Sequence, residues 1–338
     1  MDTVNLAVIG ATGAVGEAVV DLLEKSTFPV QELYLLASER TAGTSLMFRS
    51  KPVMVEALSD FDFSKAHMVI FVATDEVSRE YVPKAREHGC LVIDNSQAFA
   101  EEAPLIIPSV NGGLLSKMEG KPDVVVNPDS SVILLWSVLK PIYDHYGIYR
   151  VNVTAFDSVS RHGKKAIHEL AAQTASLLNG QGADPKVYPQ QIAFNVLPAV
   201  GEMTDSGHSQ AERRIQEQTD KILVDPQLQV NATCIQVPVF YADSLSVNIE
   251  TGDPADAAEV RGLLEKHNEI IVLDDQGDTG YATPVTTAAG KNDIFVSRIR
   301  NDMSHNRGLN LWIVADNVRK GAALNTIMIA EELKKSFL

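Results

Sequence analysis

Leu6-Ala7-Val8-Ile9-Gly10-Ala11-Thr12-Gly13-Ala14-Val15-Gly16-Glu17-Ala18-Val19-Val20 reads as an apolar strand, a three-glycine turn and the opening of a helix. The glycines are spaced Gly-x-x-Gly-x-x-Gly. Glycine in such a turn lets the backbone bend tightly and approach a pyrophosphate seated on the helix N-terminus. A glycine triplet alone marks any tight turn, but this one occupies the first strand–helix junction of the chain. Gly10, Thr12, Gly13, Ala14 and Val15 are therefore the candidate cofactor contacts.

Outward from this turn, short apolar runs at 6–9, 33–37, 68–73, 91–94, 105–107 and 124–126 read as strands, with helical stretches at 15–25 and 78–88 between the early ones. Alternation of apolar strands with helices predicts a parallel sheet covered on both faces. The fold class expected is α/β, a doubly wound Rossmann-type domain followed by an α+β domain. The second strand leads into Ser38-Glu39-Arg40, where Ser38 and Arg40 suit a 2′-phosphate and favour NADP over NAD. Glu39 works against that reading, and a solvated turn is the plain alternative.

Beyond residue 130 the texture changes. A helix is expected over 132–146, bent or interrupted at Pro141. Long strand-like stretches follow at 149–160, 228–248, 294–300 and 309–314, and their alternation predicts a mixed or antiparallel sheet. Helices over 164–178, 211–223 and 255–267, the last introduced by Pro254, would cover one face. The other face would be solvated or an interface. An amphipathic helix over 322–338 closes the chain.

The 338 residues suffice for two domains, and 29 basic against 44 acidic side chains leave a net charge of −15. So acidic a surface argues against nucleic acid and anionic membrane as partners. The apolar runs are too short to span a bilayer. The first residues carry no basic segment of the kind that opens a signal peptide, so the cytoplasm is the expected location. Two cysteines, Cys90 and Cys234, make neither a disulfide scaffold nor a metal cluster, and the scattered histidines show no metal-ligand spacing.

Gly10-Ala11-Thr12-Gly13, Asp94-Asn95-Ser96, Asn127-Pro128, Ala193-Phe194-Asn195, Pro238-Val239 and the tail from Asn310 to Asn325 resemble the aspartate-semialdehyde dehydrogenase family. Within it the chain is most similar to the Usg-type paralogues that lack the catalytic cysteine. The resemblance implies an NADP-binding domain over 1–128, completed by a returning helix at 318–338. It also implies a catalytic and dimerisation domain over 129–317 and a homodimer. The family reaction is the NADPH-dependent reductive dephosphorylation of aspartyl-4-phosphate to aspartate 4-semialdehyde, through a cysteine thioester with a histidine as acid–base catalyst. Asn317 would contact the cofactor, and Asn95, Glu212, Arg214 and Gln236 would face a small anionic substrate.

Several positions depart from that pattern. The nucleophile is Ser130, which supplies almost no alkoxide without a well-placed base. The acid–base histidine is Asp243, and an ordinary carboxylate is a poor acid at neutral pH. The carboxylate-clamping arginine is Gln236, the phosphate-clamping arginine is Ala100, and the orienting glutamine is Asp157. Thr74, Asp75 and Glu76 replace a small glycine-rich loop near the pyrophosphate, which puts cofactor affinity in doubt. Helix capping by Asp129 or Ser130 is the plain reading of that junction.

Arg161 and His162 stand in a loop the family keeps open. Either they fill unused space, with Arg161 paired to Asp157, or His162 joins Ser130 and an aspartate in acyl-transfer chemistry. Three readings follow: a catalytically impaired dehydrogenase, a non-catalytic binding paralogue, or a changed acyl-transfer activity of Ser130 and His162.

Overall fold

Val4–Ile9 (β1) opens a seven-stranded sheet in the computed structural model, which describes residues 3–275, 277 and 279–338. The other strands are Val30–Ala37 (β2), Ser45–Phe48 (β3), Lys51–Ala57 (β4), Met68–Phe71 (β5), Leu91–Asp94 (β6) and Val124–Val126 (β7). Their order is β3-β4-β2-β1-β5-β6-β7, with every pairing parallel except the β3–β4 hairpin. Helix α1 (Ala14–Lys25) links β1 to β2, and α2 (Asp75–Glu87) links β5 to β6. Right-handed crossovers running outward in opposite directions place these helices on opposite faces. The strand order therefore reverses between β1 and β5, where ligands of such sheets bind.

Two expectations in this unit change. Residues 105–107 form no strand, only a single bridge from Leu105 to Val126. The β3–β4 hairpin escapes the sequence reading because its two-residue turn is Arg49-Ser50, both at positive φ (49° and 61°). Asn-Gly is the usual signal for that geometry. The C-terminal helix, Asn325–Phe337, belongs to this unit: Asn325 Nδ2 donates to Ile106 O (3.1 Å) and Asn127 Oδ1 (2.7 Å).

The chain forms two compact units, 1–129 with 322–338, and 130–321. The return to the first unit comes four residues later than the expected 318. Asn317 and Lys320 bond inside the second unit, to Ser158 and Ser160 and to Glu269.

The second unit is a six-stranded mixed sheet. Its strands are Ile148–Asp157 (β8), Gln229–Gln236 (β9), Asp243–Thr251 (β10), Ile270–Val272 (β11), Ile294–Asn301 (β12) and Gly308–Ala315 (β13), ordered β11-β12-β13-β10-β8-β9. The expected single run 228–248 is two strands, broken by Pro238 and a turn ending at Ala242 with φ 72°. A third helix of the first unit, α3, is the short Pro108–Asn111.

In the second unit α4 (Ser130–Tyr146) lies across β8, β10, β12 and β13. It is flanked by α6 (Gln210–Leu223) and α7 (Ala257–Leu264), while α5 (Gly163–Leu178) follows β8. Helix α4 is apolar around most of its circumference, as a helix packed on several sides must be. Pro141 does not interrupt it. Asp256, not Pro254, caps α7, accepting from Ala258 N.

Candidate functional site

In the first unit the glycine turn is enforced by contact. Gly10 has φ +83°, and a Cβ there would lie 2.4 Å from Val72 O. A Cβ on Gly16 would lie 2.2 Å from Gly10 O, so α1 packs onto the turn only with glycine at that position. A cavity of about 620 Å³ opens beside it, lined among others by Gly10, Thr12, Gly13, Ser38, Arg40 and Tyr81. Glu39, the residue expected to work against a 2′-phosphate, also lines it. Asp75 and Glu76 are not among the lining residues. Asp75 accepts from Gln97 N (3.0 Å), and Glu76 is held below the usual carboxylate range by Thr74 and its own amide. Thr74 and Val77, on either side of those two acids, do line the cavity.

Asn95, expected at the substrate, is tied within the same unit. Its Nδ2 donates to Phe71 O (3.1 Å) and its Oδ1 accepts from Thr326 Oγ1 (2.7 Å).

In the second unit the strand register decides what lies under the head of α4. Asp157 pairs with Gln236, Phe156 with Ser244, and Asp243 with Ala315. Period-two alternation puts Gln236, Asp157 and Asp243 in line with buried Cys234, Ala155 and Leu245 on the helix-covered face. Two carboxyls and an amide therefore share one dry row.

Ser130, first residue of α4, stands over this row. Its Oγ donates toward Asp243 Oδ2 (3.4 Å) and accepts from Arg161 Nη1 (3.0 Å). Arg161 Nη1 also reaches Ser131 Oγ (3.5 Å), and its Nε lies 3.7 Å from Asp157 Oδ2. Asp243 Oδ1 accepts from Ser158 N and Ser158 Oγ, both at 2.8 Å. Gly321 allows the chain to pass against the serine, since a Cβ there would lie 2.8 Å from Ser130 Cβ.

Burial pushes the Asp243 carboxyl up to about 8 and the neighbouring Asp157 adds to the rise, while Arg161 and Ser158 oppose it. The dry surroundings that the sequence does not show are present, and they shift Asp243 away from an ordinary carboxylate toward its proton-bearing form. A group of that pKa is well matched to proton transfer near pH 7.

His162 is exposed, its Nδ1 3.3 Å from Tyr188 OH. Its neighbour Arg161 is the residue seen bonded to Ser130. The pairing of Arg161 with Asp157, one of two alternatives read from the sequence, is present. Glu212 serves the fold: it completes a capping box with Ser209 and accepts from Cys234 N (3.0 Å). Arg214 is half-buried and has no hydrogen bond or ion pair among the described residues. Gln236 Nε2 donates to Asp157 O (2.6 Å), and its buried Oε1 has no partner among the described residues. Asn317 Oδ1 accepts from Ser158, Ser160 and Ala242 N, committing that oxygen to the acid row's supports rather than leaving it open for a cofactor.

Sequence reasoning missed Ser158 and held Gly321 only as one residue of the tail motif. The role of neither is visible locally, because both act on residues distant in sequence.

Residues 5–118 match the semialdehyde dehydrogenase NAD binding domain, and residues 139–320 match the semialdehyde dehydrogenase dimerisation domain. The aspartate-semialdehyde dehydrogenase of Legionella pneumophila is 45% identical over 336 residues, 99% of this chain and 96% of that protein. Aspartate-semialdehyde dehydrogenase 2 of Vibrio cholerae is 44% identical over 335 residues, 98% of each. The crystal structure of the Vibrio cholerae aspartate semialdehyde dehydrogenase II complexed with ASA has a TM-score of 0.96 at 43% identity, covering 100% of both chains. The Candida albicans structure with NADP shares the fold, with a TM-score of 0.76 at 22% identity over 99% of each chain. These likenesses define a two-domain α/β protein with an NAD(P)-binding domain and a dimerisation domain. The chain belongs to the aspartate-semialdehyde dehydrogenase family.

Proposed function

We propose that this chain is a Usg-type member of its family, a homodimer that takes up NADP(H) but performs little phosphorylating dehydrogenase turnover. The observation that carries the reading is Ser130 at the head of α4, with the Arg161 guanidinium on its hydroxyl. A thiol there would supply thiolate at neutral pH, aided by the helix N-terminus, whereas a hydroxyl depends on a base to take its proton during attack. An oxygen ester also accepts hydride less readily than a thioester.

The acid–base role is not the weak point. Burial shifts Asp243 toward its protonated form, from which it can hand over a proton. The weakness lies in the nucleophile and in the uncharged Gln236 and Ala100, which offer no fork for a carboxylate or phosphate. When bound, the nicotinamide supplies or accepts hydride. The glycine turn, Ser38 and Arg40 would hold its nucleotide, with a 2′-phosphate between the last two. The glycine turn and a cavity of about 620 Å³ beside it support retained binding. The two glutamates that do line it, Glu39 and Glu80, lower the affinity rather than close the site.

The test is NADPH consumption with aspartyl phosphate, and the reverse reaction with aspartate semialdehyde and phosphate. Turnover about 10⁴-fold or more below that of a cysteine-bearing relative is expected, because residues of one catalytic unit fail together. Turnover within about tenfold of such a relative would overturn the reading.

A further inference from the structure

We propose that Ser130 is an acyl-accepting nucleophile for small uncharged esters, with Asp243 as the base that takes its proton and Arg161 as the cation that steadies the alkoxide. The inference goes beyond the loss of dehydrogenase turnover and does not require it. Three contacts carry it: Ser130 Oγ to Asp243 Oδ2 at 3.4 Å, Ser130 Oγ to Arg161 Nη1 at 3.0 Å, and the double anchoring of Asp243 by Ser158 at 2.8 Å. Nucleophile, base and orienter are thus assembled, at distances usual for a site without substrate. The serine also heads a 17-residue helix, whose positive end favours the charge that develops on attack.

The chemistry closes on itself. Ser130 Oγ attacks the ester carbonyl, its proton passes to Asp243 Oδ2, and the same proton leaves with the departing alcohol. Water then attacks the acyl-serine, gives its proton to Asp243, and the free acid departs as Ser130 is reprotonated. The cluster favours a neutral acyl group because the charges of Asp157 and Arg161 oppose one another and Asp243 is uncharged below about pH 8.

The groups that face Asp243 set when it can act. Asp157 on β8 disfavours its charge, while Arg161 and Ser158 on the following turn favour it. Ser130 approaches from α4. Tyr188 lies close enough that Asp157 and Asp243 both help to hold its phenol protonated. Activity therefore rises with pH until Asp243 is ionised.

Hydrolysis of p-nitrophenyl acetate, followed at the isosbestic wavelength of p-nitrophenol and corrected for buffer, tests this from pH 6 to pH 9.5. The rate is expected to climb about tenfold per pH unit and level off near the Asp243 pKa. S130A should fall to the buffer rate. D243N should lose about a hundredfold and its pH inflection. R161M should move the inflection upward. Mass spectrometry of quenched wild-type protein should find one acetyl group, on the peptide holding Ser130. An S130A rate equal to wild type, an acetyl group elsewhere, or an inflection that survives D243N and depends on His162 would overturn the proposal. Dehydrogenase turnover reads out on NADPH absorbance, so either idea can fail without the other.

Discussion

Residue by residue, the second unit's site is governed by how much water its groups have lost. Asp243 is fully buried with its carboxyl raised to about 8, against about 3.9 in an unfolded chain. A raised folded-state pKa gives a contribution that is whole below the unfolded value and lost as pH climbs through the folded one. Stability should therefore decline as pH rises from about 4 toward 8, with this carboxyl contributing to the loss. Urea unfolding of wild type and D243N at pH 5 and pH 8 checks it. The variant should lose much less stability over that interval, and equal losses in both proteins would refute the assignment. At the other site, Arg40→Ala should weaken NADPH binding by about tenfold or more while leaving NADH little changed, as titration calorimetry would show. The sequence named Ser130, Asp157 and Asp243 through their place in family motifs. It did not show the dry row joining them, because burial of Asp243 is made by strand register across β8, β10 and α4.

Elements were legible wherever a local pattern carried them. The first strand, glycine turn and helix were readable because each glycine answers a local backbone demand, and α4 because its apolar run is long enough for a buried helix, although the break expected at Pro141 is not there. The β3–β4 hairpin was not, since Arg49-Ser50 carries no sign of the positive φ both residues adopt. That mismatch yields a prediction: Arg49→Asn with Ser50→Gly should stabilise the chain by about 1 kcal/mol or more, read as a raised urea midpoint with unchanged m-value. The gain is reduced by the Arg49 contacts to Val30 O and the Phe48 ring that it forfeits. Conversely, Gly16→Ala should cost about 1–3 kcal/mol and loosen NADPH, because its methyl meets Gly10 O at 2.2 Å. An unchanged melting temperature in G16A would contradict the contact.

For the molecule as a whole, the family and fold extend across nearly the entire chain, while the chemistry rests on a handful of side chains. A shared scaffold does not by itself preserve a reaction. Residues 139–320 match a dimerisation domain, which supports the homodimer proposed above. Among the described residues no helix is long and apolar enough to cross a membrane. We propose that nucleotide binding has outlived dehydrogenase turnover, and one measurement addresses both halves. A calorimetric titration with NADPH, followed on the same sample by NADP reduction with aspartate semialdehyde and phosphate, should show saturable binding and a rate far below the roughly 10 s⁻¹ common among enzymes. Binding accompanied by turnover near that value would make Ser130 a competent dehydrogenase nucleophile and contradict the account.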